Sequence, residues 1–403
     1  MKIVVIVSEF PKVTETFAYR NLVTYRRMGH DARLFHIKRF RSREVVHDFM
    51  AEVMRDAFSF GYLAPATLGA AAMETGRAPR RVARLLGLIL DRHRREPMRG
   101  LAVLACLPKA LALGRWCRRN RVDHIHGEFA GHPATVAMIA AEAAGIGFSF
   151  SAHANDFIVS QALLPEKARA ARFLRTISRH NLARLENLPG LPREKLQLVR
   201  CGVSRDRLAG PLPTPPGCGP LRILYVGSLM PKKGVRHLID ALAALPRDLD
   251  WQARILGGGP LEETLRAQAA TLGLSTRIRF AGAQPAEQVA QAFASSHLAV
   301  VPSVMGAQGR VEGIPVVAME ALAHGLPLIA SALSGIPELV EDGVTGWLVP
   351  PGDPAAIAAA ISAIAADWEA ASAIGARGRA RVAAEYVVEE NAERLARLME
   401  EMR

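Results

Sequence analysis

The chain has 403 residues, 50% of them apolar and 22% charged, with a formal net charge of +13. That length and apolar content predict a globular protein with sizeable cores and at least two domains. The four cysteines, Cys106, Cys117, Cys201 and Cys218, show no CxxC spacing, which suits a reducing compartment and offers no metal site.

The run MKIVVIV is cut off at Glu9, too short for a signal peptide and without a small-residue cleavage site; it predicts a buried strand over Lys2–Val7. Further strands are predicted at Ala32–Ile37, Val122–Ile125, Gly147–Ser151, Phe173–Ile177 and Leu196–Cys201, with a helical insertion over about 45–120. The apolar stretch near Leu101 stops at Pro108-Lys109, and Glu142 interrupts Ala134 to Phe148, so no run is expected to span a membrane. Five prolines and two glycines in residues 211–220 forbid helix or central strand and predict a linker. Beyond it, strands are predicted at Leu221–Leu229, Trp251–Leu256, Ile278–Gly282, Leu298–Pro302, Leu326–Ala330 and Gly346–Val349, separated by Ala-rich helical segments. This is the βαβ rhythm of parallel sheets, giving an α/β protein of two doubly wound Rossmann-like domains, 1–210 and 221–388. Ligands of such sheets bind beyond the carboxyl ends of the strands, so the reaction is expected in a cleft between the domains.

The segment Glu312-Gly-Ile-Pro-Val-Val-Ala-Met-Glu320 carries the chemistry. Pro315 suits the first turn of a helix over Val316 to His324, which Gly325-Leu-Pro327 ends. Amides from Gly313, Ile314 and Val316 around Pro315 then form an anion cradle at the positive end of a helix dipole. A carboxylate accepts from paired sugar hydroxyls, so Glu312 before the cradle and Glu320 inside the helix are able to hold a sugar and a ribose. The alternatives are a capping charge at Glu312 and a solvated helix residue at Glu320. Val226-Gly227 ends a strand with close backbone approach, and Lys232-Lys233-Gly234 opens a helix with ammonium groups fit for a phosphate. Gly257-Gly258-Gly259-Pro260 is not a dinucleotide fingerprint, lacking the spacing and the acidic residue about twenty positions on. No Asp-x-Asp pair at a strand end and no His/Cys cluster offers a metal site.

These motifs, with AVVPS, SGIPELVEDGVTGWLVPPGDP and the ending AAEYVVEENAERLARLME, resemble retaining GT-B glycosyltransferases of family 4. FPKVTETF, GHPATVAMIA and SFSAHANDF are most similar to the exopolysaccharide glycosyltransferases of the colanic-acid and amylovoran type. The resemblance implies a donor site for a UDP- or GDP-sugar, with Lys233 and the helix amides on the diphosphate, Glu320 on the ribose and Glu312 on the transferred sugar. It places Gly227, Ser228, Gly257 and Gly258 near the nucleotide and His153 near the sugar as a third catalytic candidate. It implies further that the leaving phosphate takes the acceptor proton on the face where the acceptor attacks, without a metal or other cofactor. Ser228 departs from the pattern, standing where an arginine is expected, with Lys12, Lys232 and Arg310 as replacement cations. On the acceptor side stand His126, Asp156 and the loop residues Thr14, Glu15 and Thr16, which fill the place of a glycine-rich loop; Thr14-Glu15 equally suits a helix cap. The final helix, about Glu389–Arg403, is expected to cross back to the first domain.

The basicity lies in residues 1–210, with 35 Lys and Arg against 18 Asp and Glu; the remainder holds 16 against 20. Between Arg77 and Arg121 the basic residues alternate with Leu85, Leu88, Ile89, Leu101 and Leu111. Such amphipathic segments suit an anionic membrane surface, whereas no nucleic-acid-binding motif is present. The expectation is a cytoplasmic enzyme, peripheral on the inner membrane face, that moves a sugar to a lipid-linked or polysaccharide acceptor. A sugar-nucleotide epimerase and a non-catalytic membrane adaptor are the alternatives.

Overall fold

The computed structural model describes residues 1–12, 16–41, 50–309 and 311–402. The chain divides into two compact units, the first comprising 1–177, 181–199 and 389–403, and the second 178–180 and 200–388.

Unit 1 runs β1 (Lys2–Val7), α1 (Thr16–Arg27), β2 (Asp31–His36), α2 (Met50–Asp56), α3 (Pro65–Arg77), α4 (Pro79–Arg92) and α5 (Pro97–Arg119). It continues with β3 (His124–Gly127), α6 (His132–Ala144), β4 (Gly147–Ala152), α7 (Ala154–Val159), α8 (Leu164–Ala170), β5 (Leu174–Thr176), α9 (Arg179–Glu186) and β6 (Leu196–Leu198). The six strands form one sheet in the order β2-β1-β3-β4-β5-β6, every pairing parallel. Both faces are covered, so β1 is apolar without interruption: Val4 and Ile6 join the core of α5 and α6, while Ile3, Val5 and Val7 join Tyr19 and Leu22 of α1.

Unit 2 runs β7 (Leu221–Val226), α10 (Val235–Ala243), β8 (Trp251–Leu256), α11 (Glu262–Thr271), β9 (Ile278–Gly282), α12 (Ala286–Ala294), β10 (Leu298–Val301) and α13 (Val316–Ala323). Then follow β11 (Leu328–Ser331), α14 (Ile336–Leu339), β12 (Trp347–Val349), α15 (Pro354–Ala366) and α16 (Trp368–Glu385). Its parallel sheet has the order β12-β11-β10-β7-β8-β9, so the strand order reverses between β7 and β10. Helix α17 (Val388–Glu401) follows, and its Leu395, Ala396 and Met399 pack in the core of unit 1 beside Ile3 and Val5.

Three expectations are corrected. The second unit begins at Arg200, not within 211–220: Val203 exchanges backbone bonds with Tyr386 and Val388 at 2.9 Å, and Arg379 binds the Leu208 and Gly210 carbonyls. Helix α5 runs on through Pro108 and is, by length and composition, long and apolar enough to cross a membrane. Of its most apolar window, 61% is buried within the protein. Strand ends also retreat: β6 stops at Leu198, and β7 stops at Val226 as the chain turns into a loop.

Ahead of β10, His297 is 1% exposed; its Nδ1 accepts from the Arg222 amide at 2.9 Å. Burial, with Arg222 nearby, lowers its pKa to about 4. The unfolded chain therefore takes up that proton first, near the ordinary value of about 6.5. Stability is whole above that pH and falls as pH drops towards 4, by up to about 3 kcal/mol at this residue. Urea unfolding at pH 7 and pH 4.5 should show this loss, and His297→Gln should flatten it; an identical pH dependence in the variant contradicts the assignment.

Candidate functional site

In an open parallel sheet the crevice lies where the strand order reverses. In unit 2 that point falls between the carboxyl ends of β7 and β10. The loop after β7 descends through Gly227 and Ser228 into a single 3-10 turn, Pro231–Lys233. It is locked in place by backbone contact: Gly257 has φ +140°, and a Cβ there would lie 1.8 Å from the Gly227 oxygen. Gly234, at φ +67°, approaches the Pro302 oxygen in the same way, and the Val304 amide donates to the Lys232 oxygen at 2.9 Å. Only glycine fits such approaches.

This locking delivers the two lysines to Glu312. Lys233 Nζ stands 2.6 Å and Lys232 Nζ 3.6 Å from Glu312 Oε1, while Ser303 Oγ donates to Oε2 at 3.1 Å. The Glu312 and Lys233 side chains are 12% and 16% exposed, enclosed enough for the pair to matter and open enough for a ligand to reach. Tyr225 lies behind: its hydroxyl donates to the Ser228 oxygen at 3.1 Å, and burial together with the Glu312 charge pushes its pKa well up. Tyr225 gave no signal in the sequence beyond a strand residue.

Helix α13 starts at Val316 as expected and ends one residue early, at Ala323; Pro315 is its extended N-cap (φ −64°, ψ 130°), and no side chain caps it. Proline has no amide, so the cradle comes from the Gly313, Ile314, Val316 and Val317 nitrogens. Glu320 lies four residues after Val316, about 6 Å along the axis, one turn inside the helix. It shares the half-buried face with Val316 and Val317, away from the buried Ala318, Met319 and Leu322.

In unit 1, His153 ends β4 and caps α7. The Asp156 amide donates to the His153 carbonyl at 2.9 Å, and Asp156 Oδ2 accepts from the amides of His153 (3.1 Å) and Ala130 (3.0 Å). Asp156, the third residue of α7, thus ties the helix start to the loop after β3. The His153 ring lies between Phe17 (5.1 Å) and Phe129 (5.0 Å), and burial lowers its pKa. His126 is corrected. Strand alternation turns it into the sheet, fully buried, with Nδ1 at 2.8 Å from Ser149 Oγ and Nε2 at 2.9 Å from Ser151 Oγ.

The sequence reading missed a buried charge pair beside these histidines. Glu128, just past β3, and Arg175 on β5 are each 1% exposed and 3.3 Å apart. Burial works to raise the Glu128 pKa, but the His126 hydrogen bond and Arg175 outweigh it and hold the value low. His153 Nε2 stands 4.0 Å from this carboxylate. Of the loop candidates, Thr14 and Glu15 lie outside the described residues, as does Arg310, and Thr16 is described only as the start of α1. Among the described residues no three His, Cys, Asp or Glu side chains converge to hold a metal.

Residues 217–381 match the family model for glycosyl transferases group 1; unit 2 thus carries a group 1 glycosyltransferase domain, with Lys233, Glu312 and Glu320 inside it. The chain is 39% identical over 175 residues to WcaL of Escherichia coli, whose name places it in colanic acid biosynthesis, covering 43% of each chain. It is 38% identical over 171 residues to the amylovoran biosynthesis glycosyltransferase AmsK of Erwinia amylovora, covering 42% of each. To a GDP-mannose-dependent phosphatidylinositol monomannoside mannosyltransferase of Mycolicibacterium smegmatis it is 35% identical over 215 residues, covering 50% of this chain and 55% of that one. The chain spans about half the length of the curated relatives it matches. Among solved structures, Anabaena HepE in complex with UDP superposes with a TM-score of 0.74 at 18% identity over 99% of both chains. A sucrose-phosphate synthase from Thermosynechococcus elongatus gives 0.73 at 20% identity, over 100% of this chain and 99% of that one. These likenesses show the GT-B fold.

Proposed function

We propose that the chain is a retaining glycosyltransferase. It moves a sugar from a UDP- or GDP-sugar to a lipid-linked or polysaccharide acceptor in the assembly of an exopolysaccharide or other cell-surface glycan. The observation that carries this reading is the Lys233–Glu312 pair beside the uncapped N-terminus of α13, at the switch point of a group 1 domain. UDP in the HepE complex and GDP-mannose in the name of the mycobacterial relative support a nucleotide-sugar donor. The names of WcaL and AmsK support an exopolysaccharide context.

A diphosphate arriving at the α13 amides competes for Lys233, and the carboxylate it releases is free to accept from the donor sugar's hydroxyls. Glu320, on the same helix, is placed for the ribose. The bond from the anomeric carbon to the diphosphate breaks while the acceptor oxygen bonds on the same face, and the acceptor proton passes to the departing phosphate oxygen. Lysine and helix amides meet the charge that grows on the diphosphate, so no metal is required. In this reading Lys232 supplies the second cation that Ser228 lacks. Glu312→Gln should lower kcat by about 10²–10³-fold, the usual effect of removing one transition-state contact. Nucleotide affinity should stay within about threefold in a calorimetric titration, and undiminished turnover removes Glu312 from the role.

Peripheral attachment to the cytoplasmic membrane face is part of the same proposal, and the structure refines its basis. The apolar residues of α4 expected to face lipid, Leu85 and Ile89, lie in the core. Arg81 and Arg84 pair with Glu142, Arg92 with Glu166, and Arg94 with Asp91. What faces outward are Leu90, Met98 and Leu101, 59–77% exposed, around the turn between α4 and α5. Exposed ion pairs contribute about 0–1 kcal/mol and exchange readily for lipid phosphates. Neutralising Arg80, Arg81, Arg84, Arg92, Arg94 and Arg95 together should release the protein from phosphatidylglycerol vesicles in co-sedimentation; unchanged sedimentation counts against membrane attachment.

A further inference from the structure

At the carboxyl end of β2 the chain forms a groove that the donor cluster does not use, with a volume of about 440 Å³. Its apolar wall comes from Phe40, Phe60, Tyr62 and Leu63. Behind it, Phe35 packs on Phe58 and Phe60 at 5.3 and 5.4 Å, and Phe58 packs on Trp116 at 4.6 Å. Leu63 is nonetheless 83% exposed and Phe40 43% exposed, so large apolar side chains stand in water at the mouth.

Among the described lining residues the charge has one sign. Lys38, Arg39 and Lys109 line the groove, and among the described residues no carboxylate does; Lys38 is held by Glu9, at 2.6 Å. Lys109 is the unusual member, only 2% exposed. Its Nζ donates to the Ile37 oxygen at 2.5 Å, lies 3.4 Å from Ser59 Oγ and sits 3.8 Å over the Tyr62 ring. Burial draws its pKa down to about 8, which leaves it mostly charged at neutral pH. A buried ammonium usually has a carboxylate partner, because an uncompensated charge is costly to desolvate. Here the hydrogen bonds go to neutral oxygens, which favours an anion from outside.

We propose that this groove is a subsite for the anionic lipid end of the acceptor, a phosphate or diphosphate carried on an apolar chain. The inference rests on the glycosyl-transfer reading and adds where the lipid anchor binds. The lining, among the described residues, holds cations and no carboxylate, which suits the phosphate, and the aromatic wall suits the chain. In the sheet order β2-β1-β3-β4, three strand spacings of about 4.8 Å separate this end of β2 from the β4 end that carries His153, about 14 Å. That interval leaves room for sugar units between the anchored lipid phosphate and the reacting end of the glycan.

The test is calorimetric titration of the full chain with farnesyl diphosphate, farnesol and inorganic pyrophosphate. Farnesyl diphosphate should bind at least tenfold more tightly than either fragment. Arg39→Glu and Leu63→Asp, both at exposed positions, should each weaken it about tenfold, and Lys109→Met more. If Lys109→Met does not fold, the two exposed variants still decide the matter. Their affinity for UDP- or GDP-sugar should stay within about twofold. Equal binding of pyrophosphate and farnesyl diphosphate, or wild-type affinity in both exposed variants, overturns the subsite. So does loss of phosphatidylglycerol vesicle binding in Leu63→Asp with farnesyl diphosphate affinity intact, which makes the patch a bilayer contact. Donor binding without farnesyl diphosphate binding sinks the groove alone, whereas absence of both sinks the glycosyl-transfer reading as well.

Discussion

Glu312 and Lys233 face each other at 2.6 Å beside a helix end that no side chain caps, and much of unit 2 is arranged to keep them there. Two opposite charges, each less than a fifth exposed, are costly to bring together unless each satisfies the other. Without a ligand they do, with Lys232 and Ser303 adding further contacts. Their positions follow from topology, because β7 and β10 are neighbours across the reversal of strand order and each sends a loop from its carboxyl end. Gly257 and Gly234 permit the backbone contacts that hold those loops in register. A side chain at either position would push the lysines away from the glutamate without touching either residue.

The proposed chemistry is an exchange of partners at this point. A diphosphate offers Lys233 a better anion and offers the α13 amides an acceptor that the free protein does not supply. The carboxylate released in the exchange then faces the sugar. This ties the sugar-binding group to the arrival of the nucleotide, so that the site is complete only when the donor is in place. Unit 1 handles charge differently. Glu128 and Arg175 are sealed between strands and compensate each other with His126. Their neighbour His153 stays at the strand end, flanked by aromatic rings. Sealed charges of this kind fix the geometry of the strand ends and take no part in an exchange.

The sheet architecture was legible because β-branched runs buried on both faces leave a plain mark. Strand ends were less so: β6 and β7 stop early where loop contacts replace ladder pairing. The donor motif was legible in kind, and α13 starts at Val316 where the pattern placed it, with Pro315 as its cap. His126 looked available in the sequence, yet strand alternation turns it inward among serines of β4. The arginine-rich insertion looked like free positive charge because its partners Glu142 and Glu166 lie far along the chain, on α6 and α8. Likewise the groove beside Lys109 joins residues from near 38, near 62 and at 109. No local pattern announces that meeting.

The central claim is that the lysine beside Glu312 receives a nucleotide diphosphate. Titrating UDP and GDP into the wild-type chain and Lys233→Met by calorimetry, at two ionic strengths, tests it directly. The account predicts that one of the two nucleotides binds the wild type, and that Lys233→Met binds it at least tenfold more weakly, a loss of about 1.4 kcal/mol or more. The variant should also show a shallower salt dependence. Equal affinity and equal salt dependence in the two proteins would contradict the account.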